Sequence, residues 1–294
     1  GGIAQTPNLD RLAELGTRFD TAYTNCPICV PVRASLATGR WVHQARYWDN
    51  AFPYDGQIPS WHHRLRDQGF HLDSIGKLHF STEQDDHGFA DRVEPLYVVD
   101  GIGDVLGCLR DDGPVRRKRG GILEAGPGDS TYLQYDRRNA DHGVEWLEAH
   151  GQQDKPWALM LSFVCPHPPY ICPPEWFEYY ANRDLPMPPQ WQQADWPTHP
   201  VVDHFRRFFD LHPQFEEKQI RRLLAAYYGA CSFLDEQIGR VLHRLETLGL
   251  TDRTRVIYTS DHGEHLGARG IYGKLSLYDE SAGVPMIAAG PDVP

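Results

Sequence analysis

The chain has 294 residues, 40% hydrophobic and 23% charged, a balance typical of a globular protein with a large core. Its formal net charge of −11 argues against a broad nucleic-acid surface, and no stretch reaches the ~18 apolar residues of a membrane-spanning helix. Six cysteines are too few for a disulfide scaffold and suit a reducing compartment. We expect no nucleic acid and no membrane among the partners.

Two helices and a strand are predicted in the first part of the chain. Thr6 and Pro7 mark a helix start, because Thr caps helices and Pro favours the first helical position. A second helix is predicted over residues 32–38 and is closed by Gly39. Residues 69–75 alternate loosely between apolar and polar side chains, which predicts a strand.

The remainder of the chain alternates between helices and apolar strands. Residues 95–130 are rich in Gly and polar residues and predict a long surface loop. Helices are predicted over 132–150 and, from a 3.6-residue apolar period, over 220–245; strands are predicted over 157–165, 255–260 and 285–289. This order predicts an α/β fold, a mostly parallel central sheet with helices on both faces, and no internal domain boundary.

Polar residues follow three of the predicted strands. They are Lys77 and His79 after the first, His167 after the second, and Asp261 and His262 after the third. Ligand sites of open α/β sheets lie beyond the carboxyl ends of the strands. We therefore expect these five side chains to share one pocket.

The densest motif runs from Cys29 to Arg40, CVPVRASLATGR. A cysteine among apolar residues is commonly a small buried hydrophobe, and Cys26 with Cys29 also forms a CxxC, which leaves a redox or zinc pair open. The motif consists of Cys29, Pro31, Arg33 and a final Thr-Gly-Arg. It resembles the signature of the type I sulfatases of the alkaline phosphatase superfamily. The resemblance implies an alkaline phosphatase-like α/β fold.

Four further motifs resemble sulfatase elements, in the family's order along the chain. They are Gly76-Lys77-Leu78-His79, Pro166-His167-Pro168-Pro169-Tyr170, Asp261-His262-Gly263-Glu264 and Lys274. The resemblance implies that Cys29 is converted to formylglycine, whose hydrate attacks sulfur in a sulfate ester. It further implies a sulfuric ester hydrolase that releases alcohol and sulfate.

The resemblance also assigns roles around position 29. Arg33 would hold the hydrate, and Lys77 and Lys274 would grip sulfate oxygens. His79 would be the base toward the second hydroxyl, and His167 the acid toward the leaving group.

A divalent cation is implied at position 29, Asp261 and His262, with Ca²⁺ expected from oxygen donors and Mn²⁺ as the alternative. The family places two adjacent Asp ligands on an earlier strand, which this chain does not contain. The pairs Asp85-Asp86 and Asp111-Asp112 follow no strand-like run and are interpreted as loop carboxylates. We expect residues 1–294 to be a sulfatase catalytic domain truncated at both ends, without its first metal-binding strand and its C-terminal subdomain.

Two other functions stay open. A phosphonate monoester or phosphodiester hydrolase of the same superfamily is the closest rival, but those relatives usually carry Tyr and Thr where Lys77 and His79 stand. An inactive anion-binding fragment is the second.

Residues 47–51, Tyr-Trp-Asp-Asn-Ala, resemble a stretch of choline sulfatases, which places Asn50 near the substrate. The expected partners are a small-molecule sulfate ester and a formylglycine-generating or sulfatase-maturing enzyme. Assembly into a homo-oligomer stays open. We expect a cytoplasmic location, with the periplasm as the alternative.

Overall fold

The computed structural model describes residues 2–98 and 119–294. Its helices are α1 Pro7–Glu14, α2 Cys29–Thr38, α3 Val42–Ala45, α4 Trp61–Asp67, α5 Arg119–Leu123, α6 Thr131–His150, α7 Pro174–Ala181, α8 Pro200–Phe208, α9 Glu217–Thr247 and α10 Asp279–Ala282. Its strands are β1 Gly16–Arg18, β2 His71–Lys77, β3 Asp91–Leu96, β4 Gly126–Pro127, β5 Trp157–Ser162, β6 Ile171–Cys172, β7 Val256–Thr259 and β8 Met286–Ala289. Most of the predicted loop over 95–130, with Asp111 and Asp112, lies outside the described residues.

The first two helices differ in detail from the prediction. Helix α1 begins at Pro7 as predicted, but the Thr6 side chain makes no capping bond and instead lies 3.4 Å from an Asp10 carboxylate oxygen. Helix α2 begins at Cys29, because Pro31 falls in its first turn, where a missing N–H leaves no hydrogen bond unmade. It ends before Gly39, whose φ of 65° is left-handed.

The strands form two three-stranded sheets and one two-stranded sheet. Strand β2 pairs in parallel with β3 and with β5, which confirms the predicted parallel sheet. Strand β8 lies between β1 and β7 and is antiparallel to both, and β4 pairs in parallel with β6.

Helices cover both faces of the parallel sheet. Successive side chains of a strand point to opposite faces. Met160 of β5 packs against the cluster that contains Ala34 of α2, whereas its neighbours Leu159 and Leu161 pack against the cluster that contains Trp146 of α6. Strand β5 therefore lies between two helical layers, as predicted.

A large cavity of about 1140 Å³ is lined by both β5 and β7. In the described part of the chain, each of these strands is the last of its sheet and pairs with no strand on the cavity side. Residues of β5 are consequently only half-buried, which differs from the complete burial that its apolar sequence predicts. Among residues 2–98 and 119–294, no helix is long and apolar enough to cross a membrane.

Candidate active site

Six of the predicted site residues line this cavity: Arg33, Lys77, His167, Asp261, His262 and Lys274. Cys29 and His79 are not among its lining residues, but they lie within hydrogen-bond reach of each other. Lys77 is the last residue of β2, and the other polar loops follow β5 and β7. The carboxyl ends of these strands therefore form a shared polar pocket, which is where open α/β sheets bind ligands.

Cys29 is the first residue of α2 and is buried. Its Sγ lies 3.1 Å from Nε2 of His262. Burial raises the pKa of the Cys29 thiol, but the charge of Lys274 and hydrogen bonds with His167, His262 and His79 outweigh it and hold the pKa well below its usual value. The positive end of α2 acts in the same direction.

The neighbouring Cys26 differs from Cys29 in its electrostatics. Both are free thiols, but burial raises the pKa of Cys26 whereas that of Cys29 is lowered. The positively charged and imidazole groups therefore surround Cys29 alone, which favours a special reactivity at position 29 over a redox pair.

Arg33 lies one helical turn after Cys29 and links three parts of the site. Its Nε donates to the Asp261 carboxylate at 3.0 Å, and its Nη1 donates to the Lys77 carbonyl at 2.8 Å and to Ser162 Oγ at 3.2 Å. Ser162 was not among the residues predicted from the sequence. It could have been recognised as a hydroxyl side chain at the carboxyl end of an apolar strand, since the other predicted site residues also follow strands.

Asp261 and His262 present an oxygen and a nitrogen toward position 29. Burial raises the pKa of Asp261, but the charge of Arg33, with those of His262 and Lys77, outweighs burial and keeps the carboxyl ionised. His262 Nδ1 lies 3.0 Å from the Gly263 carbonyl; a carbonyl only accepts, so Nδ1 carries a proton and Nε2 is the nitrogen that faces Cys29 Sγ.

This donor set suits a divalent cation. Ligand atoms of Cys29, Asp261 and His262 all lie within 4.8 Å of one another. A ligating histidine whose other nitrogen donates to a backbone carbonyl is the usual arrangement at protein metal sites. Asp85 and Asp86 lie in a loop before β3 and contact Ser81, Thr82 and Arg66, in agreement with their interpretation as loop carboxylates.

Burial lowers the pKa values of both Lys77 and His79, with different effects on their charge at neutral pH. Burial, followed by the charge of Arg33, lowers the pKa of Lys77 to about 8, so the amine is still mainly protonated at neutral pH. Burial lowers the pKa of His79 to about 4, so its imidazole is neutral there. One residue can hold an anion while the other can accept a proton.

His167 and Lys274 form a directed pair. His167 Nδ1 lies 2.8 Å from the Pro168 carbonyl, which fixes the proton on Nδ1, and Lys274 Nζ donates to His167 Nε2 at 2.9 Å. Burial, followed by the charge of Lys274, lowers the pKa of His167. The transferable proton therefore resides on Lys274, with His167 Nε2 as its acceptor.

A buried carboxylate supports the loop that carries His167. Asp136 of α6 accepts the backbone N–H groups of Val164 and Cys165 at 2.8 and 2.7 Å. Asp136 was not among the residues predicted from the sequence. Its signal was an acidic side chain between Leu133 and Ala140, on the apolar face of a predicted helix.

Asn50 contacts the start of α2. Its Oδ1 accepts the N–H of Val30 at 3.2 Å, which satisfies a first-turn donor that the helix itself cannot bond. Trp48 is well exposed nearby in the chain. The role of Asn50 toward a substrate stays a prediction.

The family model described as Sulfatase matches residues 1–294. The chain belongs to the sulfatase family. Sulfatases generally use formylglycine and a divalent metal ion, and the cluster at position 29, Asp261 and His262 is consistent with both.

The relatives of this chain are named for several different activities. The chain is 31% identical over 309 residues to a choline-sulfatase of Rhizobium meliloti (98% of this chain, 58% of that one). It is 29% identical over 308 residues to arylsulfatase K of Bos taurus (99% and 54%). The crystal structure of a phosphonate monoester hydrolase of Agrobacterium radiobacter shares the fold, with a TM-score of 0.74 and 23% identity (99% and 64%). The chain thus spans just over half the length of the curated relatives.

Proposed function

We propose that the whole protein hydrolyses an organic sulfate monoester to an alcohol and sulfate. The observation that carries this proposal is the grouping of Lys77, Lys274 and His167 around position 29, together with the pair Asp261 and His262. Cationic groups that face a reacting anion are the main source of rate enhancement in transfers of this type. Formylglycine at position 29 would supply the geminal hydroxyls that the reaction uses.

The residues of this chain divide the remaining work. Lys77, mainly protonated at neutral pH, binds sulfate oxygens, and Arg33 orients Asp261 through their ion pair. Neutral His79 accepts a proton from position 29, because its lowered pKa keeps the imidazole uncharged.

Protonation of the leaving alcohol involves two residues. His167 Nε2 has no proton of its own while it accepts from Lys274. We propose that Lys274 passes its proton to His167, which delivers it to the leaving oxygen. Alternatively, Lys274 donates the proton directly to that oxygen. The acid is then the pair rather than His167 alone, and the lowered pKa of His167 makes it a ready donor once protonated.

Position 29, Asp261 and His262 would hold a divalent metal ion, which would neutralise charge on the sulfate group when bound. Ca²⁺ follows from the oxygen donors, whereas the imidazole nitrogen of His262 suits Mn²⁺ better. We therefore propose Ca²⁺, with Mn²⁺ as the alternative. A maturing enzyme that converts Cys29 is the proposed protein partner; cytoplasmic location and self-association stay predictions.

The choline-sulfatase name of one relative, together with the loop around Asn50, favours a small alkyl sulfate as substrate. The rival function is hydrolysis of phosphonate monoesters, which the fold of one solved neighbour also supports. Lys77 and His79 at the carboxyl end of β2 favour the sulfatase.

The discriminating experiment measures kcat/KM of the full-length protein, made with a maturing enzyme, on 4-nitrophenyl sulfate and on 4-nitrophenyl phenylphosphonate. We expect the sulfate ester to be the better substrate. A preference for the phosphonate would support the rival, and turnover of neither ester by verified converted protein would support an anion-binding role.

Variants test the proton path. Lys274→Ala should lower kcat about 10²- to 10³-fold, the usual effect of removing one charge-stabilising donor. Lys218→Ala is the matched control, since Lys218 is 80% exposed on α9. Equal activities of the two variants would refute a role for Lys274.

A further inference from the structure

A second cluster of metal-type ligands lies at the other end of β2. His71 begins the strand, Asp73 follows two residues later on the same face, and His150 is the last residue of α6. From His71 to Lys77 the strand advances roughly 20 Å at 3.3 Å per residue. The cluster is therefore separate from the active site.

The three side chains are close enough to share one ion, since a ligand atom of each lies within 4.8 Å of the other two. His71 Nε2 lies 2.8 Å from Asp73 Oδ2. Yet this nitrogen is buried and has no hydrogen-bond partner, because the geometry to the carboxylate is not that of a hydrogen bond. Two such atoms at this distance need a positive charge between them, which either a proton on Nε2 or a bound cation can supply.

Asp73 is a buried carboxylate whose nearest basic group is the His71 imidazole. Its Oδ1 accepts the N–H of Asp91 at 2.8 Å and its Oδ2 accepts Trp146 Nε1 at 2.7 Å. Within residues 2–98 and 119–294, no Lys or Arg forms an ion pair with it. A buried charge of this kind is stable when it is paired or when it binds a metal.

His150 has the tautomer that a metal ligand needs. Its Nδ1 lies 3.1 Å from the Trp146 carbonyl, so Nδ1 carries the proton and Nε2 keeps a free lone pair. A backbone carbonyl behind a ligating histidine is the common second contact at metal sites. The carboxyl end of α6, where His150 lies, also favours a cation.

We propose that His71, Asp73 and His150 bind a divalent transition-metal ion, with Zn²⁺ as the best match to two imidazoles and one carboxylate. Zn²⁺ takes three such protein ligands and a water in tetrahedral geometry. The imidazole rings of His71 and His150 are stacked, with centroids 5.1 Å apart and planes at 21°. Because stacked rings do not direct their nitrogens at one point, we expect the half-exposed His150 ring to rotate toward Asp73 when the ion binds. The bound ion links the end of α6 to the start of β2 and stabilises the folded state.

The experiment uses the full-length protein, made without a maturing enzyme so that position 29 keeps its thiol and then stripped with EDTA. It is titrated with Zn²⁺ by calorimetry and with Co²⁺ by absorption spectroscopy. Co²⁺ at Cys29 would show a sulfur charge-transfer band, whereas Co²⁺ at the histidine cluster would show only ligand-field bands. We compare wild type with His150→Gln and His71→Gln. His243→Gln is the matched control, because His243 is exposed on α9.

Wild type and His243→Gln should bind one Zn²⁺ at the histidine cluster in calorimetry. When Co²⁺ replaces Zn²⁺ there, both proteins should show the ligand-field spectrum without a sulfur band. Each cluster variant should weaken this binding by at least about 10-fold while keeping any sulfur-containing signal. The proposal is overturned if wild type shows no sulfur-free Co²⁺ spectrum, or if His150→Gln and His71→Gln bind Zn²⁺ as tightly as the control.

Discussion

Replacing Arg33 by Met should destabilise the protein strongly, because Arg33 and Asp261 form a buried ion pair. Their side chains are only 10% and 13% exposed, and the guanidinium also bonds the Lys77 carbonyl and Ser162. Removing one partner of a buried pair leaves the other charge without compensation, which costs about 3–5 kcal/mol. Met keeps much of the apolar volume, so the loss reports mainly on charge and hydrogen bonding.

Arg66→Met provides the matched control. Arg66 pairs with Asp86 at 2.7 Å, but these side chains are 40% and 63% exposed. Surface pairs contribute about 0–1 kcal/mol. The two variants remove the same side chain from the same kind of pair and differ in burial.

The assay is thermal unfolding of the full-length protein in EDTA, so that no bound cation replaces the guanidinium. At roughly 2–4 °C per kcal/mol, Arg33→Met should unfold about 6–20 °C below wild type and Arg66→Met within about 4 °C of it. Adding Asp261→Asn to Arg33→Met should restore part of the loss, since no charge is then left unpaired. Similar melting temperatures for the two single variants would refute the argument.

Two further predictions concern acid stability and a close approach of the backbone. Burial lowers the pKa of His62 to about 3 and that of His265 to about 4. Unfolded His titrates near 6.5 and so binds more protons below that pH. Each of the two residues should therefore make the protein about 1–2 kcal/mol less stable at pH 5 than at pH 6.5, and urea midpoints independent of pH in this range would contradict this. Gly76 and Gly69 have φ of 90° and 88°, but a Cβ at Gly76 would lie 2.1 Å from the Ser162 carbonyl oxygen while one at Gly69 meets nothing within 4 Å. Gly69→Ala should cost about 1–2 kcal/mol of backbone strain and Gly76→Ala clearly more; equal losses in urea unfolding would contradict the close approach.

Periodicity predicted the helices well because their apolar faces are set by local spacing. The long run from Ile220 to Leu245 reads as one amphipathic helix and is part of α9. The burial of β5 could not be predicted in the same way. Its apolar residues suit complete burial, but the space beside the strand is decided by distant segments, and the strand borders a cavity.

The site was predicted only in part. The resemblance to sulfatase motifs and the positions after predicted strands together pointed to Lys77, His167 and Asp261. Both signals are short stretches of sequence and can be recognised without the fold. The support of the His167 loop by Asp136 depends on how α6 packs, and only its polar position on an apolar face hinted at it. The proton position on His167 follows from the Pro168 carbonyl, which is a property of folded geometry.

The central claim is that position 29 becomes formylglycine in a sulfatase active site. Mass spectrometry of the peptide containing Cys29, from full-length protein made with a maturing enzyme, tests it most directly. We predict the mass of an aldehyde in place of the thiol, and its loss when Cys29 is replaced by Ala. An unmodified thiol in protein from that host would contradict the account.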